Sequence, residues 1–388
     1  MPADDVDIQR RPRDRKSSIL AAAADLFAAG GFSAVGIDEI GERVGITGPA
    51  IYRHFKGKDA LLGAVLLDVV TAYEVDDAAL EEGLHRVVAD AVTTALDHPS
   101  GLATYVHERR RLAGDDRRPV AAAEKRLRQQ WHRAIGAAQP ELSEPEIGAR
   151  FAAMLAALSA VALRPATVVR PQLDRLLTEA LLAMLLAPTS ESGPTPKSGD
   201  AWSPPHSRAE AILSCALALF HQRGFHGVGI DDIGEAAGIS GPTVYFYYES
   251  KLDILMGAFD RAGARVSAGA HDALTGASSA TDALARLIAS YLEVVNDNVD
   301  LIAVTSREFG VLPEADRSNR SRLRRQVRDT WVAVLRELRP GLGEGAARTL
   351  VAGVFPLMIQ LSHHGIQPTE AAPLASAFLL GEAESAIS

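Results

Sequence analysis

The chain has little sulfur and few aromatic residues. Cys215 is its one cysteine, which excludes a disulfide framework and a cysteine-rich metal site and indicates a reducing compartment. Cys215 lies in an apolar run, so we interpret it as a small core residue of a helix. Aromatic residues make up 5% of the 388 residues, and alanine and leucine dominate. This composition favours helices.

Strand-like patterns and the sequence motifs of enzymes are absent as well. No segment alternates apolar and polar residues for long enough to predict a strand, so we predict an all-α fold. No glycine-rich phosphate loop follows a strand, and no nucleophile elbow or Ser/His/Asp set has a recognisable spacing. The histidines have no metal-ligand spacing with acidic residues. We therefore predict that the chain is not an enzyme and has no cofactor and no metal.

Positive charge is in deficit overall. The net charge is −9, so any contact with nucleic acid must come from local basic patches. The N-terminal segment is charged and has no apolar run, which predicts that it is not a signal peptide. The longest stretch without a formal charge, Thr349–Thr369, contains Pro356, His363 and His364. We interpret it as a buried helix and its following loop rather than a membrane span, and we expect a cytoplasmic protein.

The chain does contain an internal repeat. Val35–Lys58 recurs without a gap at Val228–Lys251, which is 193 residues further along the chain. The identical pairs include Ile40/Ile233, Gly45/Gly238 and Tyr52/Tyr245. Similarity continues beyond this stretch, since a basic helix with a tryptophan occurs in both halves. The repeat predicts a tandem duplication of one helical unit.

Each copy has the pattern of a helix-turn-helix motif, in which a short helix, a turn with glycine and a second short helix follow one another. Ile37, Ile40, Ile46 and Ile51 are expected to clamp the two helices together. We expect the second helix, Gly48–His54, to turn its small N-terminal residues and its basic residues outward and to offer its N-terminal N–H groups to a phosphate. Arg53 suits a guanine edge.

The predicted DNA-contacting residues include a basic arm before the motif. In the first copy they are Arg11, Arg13, Arg15, Lys16, Thr47, Gly48, Pro49, Ala50, Tyr52, Arg53, His54, Lys56 and Lys58. In the second copy they are Ser240, Gly241, Thr243, Tyr245, Tyr247 and Lys251.

Residues 15–62 resemble the N-terminal DNA-binding domain of the TetR/AcrR family of bacterial transcriptional regulators. The resemblance depends on Leu26-Phe27, Gly31-Phe32, Ile37–Ile40, Val44–Thr47 and Ile51–Phe55, and on the following lysines. It implies phosphate contacts for Tyr52 and Lys58. It also implies a double-stranded DNA operator as partner, and a C-terminal helical domain in each half that binds an effector and dimerises.

The second copy departs from the first in charge. Phe246-Tyr247-Tyr248-Glu249 replaces Arg53-His54-Phe55-Lys56. Residues 1–62 hold nine lysines and arginines and nine acids, whereas residues 200–255 hold three and seven. The affinity for DNA phosphates rises with the number of lysine and arginine side chains that contact them. We therefore expect the first motif to bind DNA more strongly than the second. Whether the second motif binds DNA is left open.

The division into domains follows from the repeat and from a linker rich in Pro, Ser and Gly. We predict helix-turn-helix domains at 1–62 and 206–255, helical ligand-binding and dimerisation domains at 63–187 and 256–388, and a linker at 188–205. By the family resemblance, the middle of each half should hold an apolar or amphipathic small molecule. The candidate lining is Tyr105, Trp131, Phe151 and Met154 in the first half, and Phe309, Trp331, Phe355 and Met358 in the second.

Fusion of two such units predicts an intramolecular pseudo-dimer, with further dimerisation of the fused chain as the alternative. The apolar helices at 145–163, 172–186, 345–363 and 369–385 would form its interface. The leading hypothesis is a ligand-responsive regulator, most simply a repressor, on an imperfect palindrome. The alternative is a small-molecule-binding or protein-interaction module in which one or both motifs no longer bind DNA. The effector, the operator and the regulated genes do not follow from the sequence.

Overall fold

The computed structural model of the chain describes residues 12–32, 34–164, 167–188 and 207–381. The predicted linker falls outside these residues except for Pro188, and so does Arg11; the side chains of residues 12–14 and 110 are also outside them. Within the described residues the secondary structure is helical, with no strand. The prediction of an all-α fold with a duplicated helix-turn-helix unit is therefore confirmed.

The first half begins with three helices that form the head and continues with seven more. They are α1 (Pro12–Gly30), α2 (Ile37–Arg43), α3 (Gly48–Ile51), α4 (Lys58–Ala72), α5 (Asp77–Glu82), α6 (Leu84–Asp97), α7 (Pro99–Glu108), α8 (Gly114–Ala138), α9 (Glu144–Ala162) and α10 (Arg170–Leu186). A short 3-10 helix, Arg109–Arg111, follows α7.

The second half repeats this order with one helix fewer. Its helices are α11 (Arg208–Arg223), α12 (Ile230–Ala236), α13 (Gly241–Val244), α14 (Lys251–Thr275), α15 (Ala280–Asp297), α16 (Val299–Arg307), α17 (Glu314–Leu338), α18 (Glu344–His363) and α19 (Pro368–Leu380). A 3-10 helix, Glu308–Val311, follows α16.

The missing helix reflects a break that the sequence did not predict. In the first half α4 ends at Ala72 and α5 begins at Asp77. The side chain of Asp76 accepts a hydrogen bond from the N–H of Ala79 at 2.6 Å and so caps α5. The N–H of Val75, inside the break, donates to Gln130 Oε1 at 3.1 Å. In the second half α14 runs unbroken through Thr275.

The chain divides into two compact units. The first comprises Met1–Ala137 and Leu158–Pro165, and the second comprises Ala138–Ala157 and Ala166–Ser388. The second unit therefore contains most of α9 and all of α10 together with the whole second half. Our domain boundaries remain a prediction.

Within the second unit, α10 packs against α18 and α19, and α18 packs against α19. Their shared core is aliphatic, with Leu177, Leu181, Leu350 and Leu374 among its buried side chains. Two helices, Glu144–Ala162 and Glu344–His363, are long and apolar enough to cross a membrane by composition alone. In these two helices 67% and 50% of the apolar stretch is buried inside the protein. This burial is typical of the core helices of a folded domain.

The second head shares one hydrophobic core with the helices that follow it. Phe220 and Ile233 of the head lie in the same buried cluster as Leu255 of α14 and Leu301 of α16. The head is therefore built onto α14 and α16, and a displacement of either helix moves part of the head's own core.

Candidate nucleic-acid interface

The two helices of each motif approach so closely that only glycine fits between them. A Cβ on Gly41 would lie 2.7 Å from the carbonyl oxygen of Ile46, and one on Gly234 would lie 2.9 Å from that of Ile239. The two segments are held together at this point, because the N–H of Ile46 donates to Gly41 O and the N–H of Ile239 donates to Gly234 O, at 2.9 Å each. Gly41 and Gly234 were not among the predicted site residues, although their recurrence in the repeat was a usable signal.

The turn between the two helices requires glycine for a different reason. Gly45 has φ +70° and Gly238 has φ +67°, a left-handed conformation that other residues adopt only at a cost. The prediction that Gly45 permits the turn is confirmed.

The first residue of α3 does not face outward as we expected. Gly48 is buried, and a Cβ there would overlap the carboxylate of Asp38. Gly241 and Asp231 are arranged in the same way. An acidic side chain thus covers the start of each second helix, where it also interacts favourably with the helix dipole. Gly48 itself is therefore not at the surface, and a phosphate contact at this end of the helix stays a prediction.

The remaining residues of the first motif form an exposed edge. Tyr52 is 55% exposed, and Pro49, Arg53, His54 and Lys56 are exposed while Ala50 is half-buried. Residues 52–54 follow α3 as a turn, which is held by hydrogen bonds such as that from His54 N to Ile51 O at 2.8 Å. The predicted second helix is therefore shorter than expected, but its C-terminal residues still project from it.

Basic residues of α1 lie beside this edge. Arg15 and Lys16 are exposed, and the ammonium nitrogen of Lys16 lies 5.7 Å from the centre of the Phe55 ring. Phe55 is buried directly after the exposed turn. For Arg13 the structure describes the helical backbone and not the side chain. Lys16 therefore lies beside the C-terminal end of the exposed edge, and Arg15 precedes it in α1.

Lys58 and Lys251, the first residues of α4 and α14, contact the turn that follows the first helix of their heads. Lys251 Nζ donates to the carbonyls of Phe225 and Val228, at 2.7 Å each, and lies 4.3 Å from the centre of the Phe225 ring. Lys58 Nζ lies 4.4 Å from the centre of the Phe32 ring. Burial lowers the pKa of both ammonium groups, and Arg111 adds to the effect at Lys58. One N–H of Lys251 remains for another acceptor, so its phosphate contact stays a prediction.

The second motif keeps the backbone of the first and presents aromatic residues. Tyr245, Phe246 and Tyr247 are 56%, 86% and 45% exposed. Ser240 is exposed, and its hydroxyl lies 2.7 Å from that of Thr243. Phe246 was not among the predicted site residues. Its alignment with Arg53 was the signal that could have singled it out.

A glutamate links each head to the helix bundle, and neither glutamate was among the predicted site residues. The N–H of Phe32 donates to Glu108 Oε1 at 3.1 Å, and the N–H of Phe225 donates to Glu308 Oε1 at 3.2 Å. Phe32 and Phe225 follow the helix-ending glycines Gly31 and Gly224. Each glutamate therefore connects the end of α7 or α16 to the turn after the first helix of its head.

The predicted effector-lining residues are interior residues. Tyr105, Trp131, Phe151, Met154, Trp331 and Met358 are buried, and Phe309 and Phe355 are half-buried. In the second half Phe355 packs against Trp331 and Tyr291, with ring centres 4.9 and 4.7 Å apart. A cavity of about 1050 Å³ lies elsewhere, among α11, α14, α15 and α16, and none of its lining residues belongs to the predicted set.

A charged cluster is buried beside Tyr105 in the first unit. The Tyr105 hydroxyl donates to Glu124 Oε1 at 3.0 Å, and Arg117 Nη2 donates to Glu124 Oε2 at 2.6 Å. Burial raises the pKa of Tyr105. The cluster gives this part of the bundle a polar centre.

These features define a protein with two helix-turn-helix motifs of one design. The family model "Bacterial regulatory proteins, tetR family" matches residues 19–65 and 212–256. The chain thus carries two TetR-family N-terminal units in tandem, as the resemblance indicated.

Individual relatives match over a short length. The HTH-type transcriptional activator FasR of Mycolicibacterium smegmatis is 45% identical over 58 residues, which is 15% of this chain and 26% of that protein. The HTH-type transcriptional regulator EthR of Mycobacterium tuberculosis is 43% identical over 54 residues, which is 14% of this chain and 25% of that protein. A TetR-family regulator from Bordetella parapertussis is similar in structure, with 20% identity, coverage of 44% of this chain and 93% of that one, and a TM-score of 0.42.

Proposed function

We propose that this chain is a transcriptional regulator that binds a double-stranded DNA operator through its first helix-turn-helix motif. The exposed edge formed by Tyr52, Arg53, His54 and Lys56 on a TetR-type head carries this proposal. Arg53 would read a base edge, and Lys56 with Arg15 and Lys16 would neutralise phosphates. The names of FasR and EthR, a transcriptional activator and a transcriptional regulator, support the same assignment.

We further propose that the two halves act as an intramolecular pseudo-dimer on an imperfect palindrome. The packing of α10 against α18 and α19 supports this, because these are the helices that the pseudo-dimer hypothesis placed at its interface. Each half contributes an apolar helix pair, and a chain that contains both pairs satisfies the interface without a second copy. The domains at 1–62, 63–187, 206–255 and 256–388, with a linker at 188–205, are part of this proposal.

Regulation by a small apolar or amphipathic effector completes the proposal, with repression as the default mode. An effector that binds the bundle better in one arrangement of the heads shifts the population toward that arrangement. The Glu108–Phe32 and Glu308–Phe225 hydrogen bonds support such a link, since they join the bundle helices to the heads. Binding that separates or tilts the heads would release the operator.

A second candidate function is a small-molecule-binding or protein-interaction module without DNA binding. The second head favours it, because Lys16, Arg43, Arg53 and Lys56 of the first head are replaced there by Ala209, Ala236, Phe246 and Glu249. The basic residues of the first head oppose it.

The salt dependence of DNA binding separates the two functions. We would measure the affinity of the full chain for duplex DNA from the region upstream of its own coding sequence, and for random duplex DNA, between about 50 and 200 mM salt. A regulator binds the upstream DNA more tightly, and the logarithm of its affinity falls linearly with the logarithm of the salt concentration. Absence of binding at about 50 mM salt would refute the regulator and leave the second candidate. Addition of the upstream duplex to a transcription assay then distinguishes repression from activation.

A further inference from the structure

The second motif carries a contiguous patch of exposed aromatic side chains. Phe246 has the greatest exposure, 86%, among the large apolar residues that the structure describes as exposed, and Tyr245 and Tyr247 flank it at 56% and 45%. We call these three residues the aromatic face. Single exposed apolar residues need no explanation, but contiguous ones mark a binding surface.

The repeat defines what occupies the same place in the first motif. Phe246 aligns with Arg53, and Tyr245 aligns with Tyr52, which is exposed to the same degree. The local backbone is also equivalent, because Phe246 N donates to Thr243 O at 3.2 Å and Arg53 N donates to Ala50 O at 3.3 Å. Phe246 therefore projects from the second motif where the predicted base-reading arginine projects from the first.

The motif that presents Phe246 is unchanged in its fixed parts. Gly234 meets the Ile239 carbonyl as Gly41 meets that of Ile46, and Gly238 has the same left-handed conformation as Gly45. A protein partner would need only the exposed aromatic groups. Retention of the close helix pair and its turn instead favours the partner that this pair fits, the major groove of duplex DNA.

Charge contacts are weak in the second motif, so another kind of contact must supply its specificity. Arg223 pairs with Asp232 at 3.2 Å, and Lys251 donates to two carbonyls. A phenyl ring cannot form the paired hydrogen bonds by which arginine reads guanine. The apolar group that base pairs present in the major groove is the C5-methyl group of thymine, and phenylalanine is among the side chains that contact it.

We propose that Phe246 is a specificity-determining residue that contacts the C5-methyl group of a thymine. This thymine lies in the second half-site at the position equivalent to the guanine that Arg53 reads in the first. The inference rests on the proposed DNA-binding function and adds the chemistry that the second motif recognises. It makes the two half-sites differ at a defined position, which is why the operator is an imperfect palindrome.

The test starts from selection of duplexes from a random-sequence pool by the full chain. In the selected duplex, each thymine of the half-site that lacks the guanine is then replaced singly by deoxyuridine, which removes one methyl group and keeps every hydrogen-bonding group. We expect one replacement to weaken binding about fourfold, which corresponds to about 0.8 kcal/mol for one buried methyl group.

Two variants assign that loss to Phe246. In Phe246→Ala the thymine duplex and its deoxyuridine counterpart should bind equally. In Phe246→Arg, selection should recover guanine at this position in both half-sites, so the operator becomes more symmetric. Val169→Ala, which alters a side chain 62% exposed outside both motifs, is the matched control and should keep the fourfold difference. Circular dichroism melting confirms that each variant folds.

The outcomes separate this inference from the function on which it rests. If the chain binds DNA but no single deoxyuridine weakens binding, or if Phe246→Ala keeps the full difference, the thymine contact of Phe246 is refuted. If the chain binds no duplex at all, the proposed function falls and the inference falls with it.

Discussion

The carboxylate of Glu108 accepts a hydrogen bond from the backbone N–H of Phe32, 76 residues away, at 3.1 Å. Its other oxygen pairs with Arg111 Nε at 2.7 Å. The second half repeats the hydrogen bond through Glu308 and Phe225 but has Val311 where the arginine would stand. The link from the helix bundle to the head is thus present twice, and in the first half the glutamate also pairs with Arg111.

Glu108→Ala should loosen the first head. The side chain is 12% exposed, and its loss leaves the Phe32 N–H without this acceptor, so we expect a loss of about 1.5–3 kcal/mol in the free energy of unfolding. Hydrogen exchange at the Phe32 amide should accelerate. Glu108→Gln keeps an acceptor oxygen and should lose less, and Glu82→Ala, on the surface, should change little. Unchanged protection of the Phe32 amide in Glu108→Ala would contradict the link.

Gly41→Ala should disrupt the first motif by steric overlap. Its Cβ would lie 2.7 Å from the Ile46 carbonyl and 3.0 Å from the Gly48 nitrogen, both of them backbone atoms. We expect destabilisation of about 1–3 kcal/mol in chemical unfolding, as for overpacked cores. Gly36→Ala is the control, because no atom lies within 4 Å of its Cβ. Equal stability of the two variants would argue against the close approach of α2 and α3.

Arg53 and Lys56 should contribute differently to DNA binding. Arg53→Ala should cost about 1–3 kcal/mol on the selected operator and relax the base preference at one position. Lys56→Ala should weaken binding to all sequences alike and reduce the salt slope by about 0.9. Arg128→Ala, on an exposed face of α8, is the control for charge alone. Equal losses from both variants on specific and random duplexes would refute this division.

Arg150 should be essential to the second unit. It is 1% exposed, and its Nη1 donates to Leu185 O at 2.6 Å and to Ala187 O at 2.7 Å, which satisfies carbonyls at the end of α10. Arg150→Ala removes these bonds and leaves the carbonyls buried, so we expect a loss of about 3 kcal/mol or more in chemical unfolding. Arg175→Ala, exposed on α10, should be nearly neutral. A neutral Arg150→Ala would show that α10 does not need this cap.

The pseudo-dimer predicts a particular mass in solution. Sedimentation at micromolar concentration should give mainly a species of the chain mass, 41.2 kDa, because α10, α18 and α19 already cover one another. A species of about twice that mass would support the alternative, in which the fused chain dimerises again.

The motif positions were readable from the sequence because they depend on local rules. Gly45 and Gly238 permit a left-handed turn, and the isoleucines around them repeat at helical spacing. The break between α4 and α5 could not be predicted from the sequence. It involves a hydrogen bond from the N–H of Val75 to Gln130, which lies 55 positions further along the chain. The burial of Gly48 likewise depends on the conformation of Asp38, which the sequence pattern leaves open.

The sequence by itself determined the helical class, the duplication and the family of both heads, since each follows from residue spacing and composition. The tertiary structure alone decided which residues reach the surface and which ones tie the parts together. It turned Lys251 toward two carbonyls, left Phe246 exposed and brought Glu108 to Phe32. Hydrogen bonds and burial between distant segments depend on how helices pack, and helical spacing carries no information about which distant partner a side chain will meet.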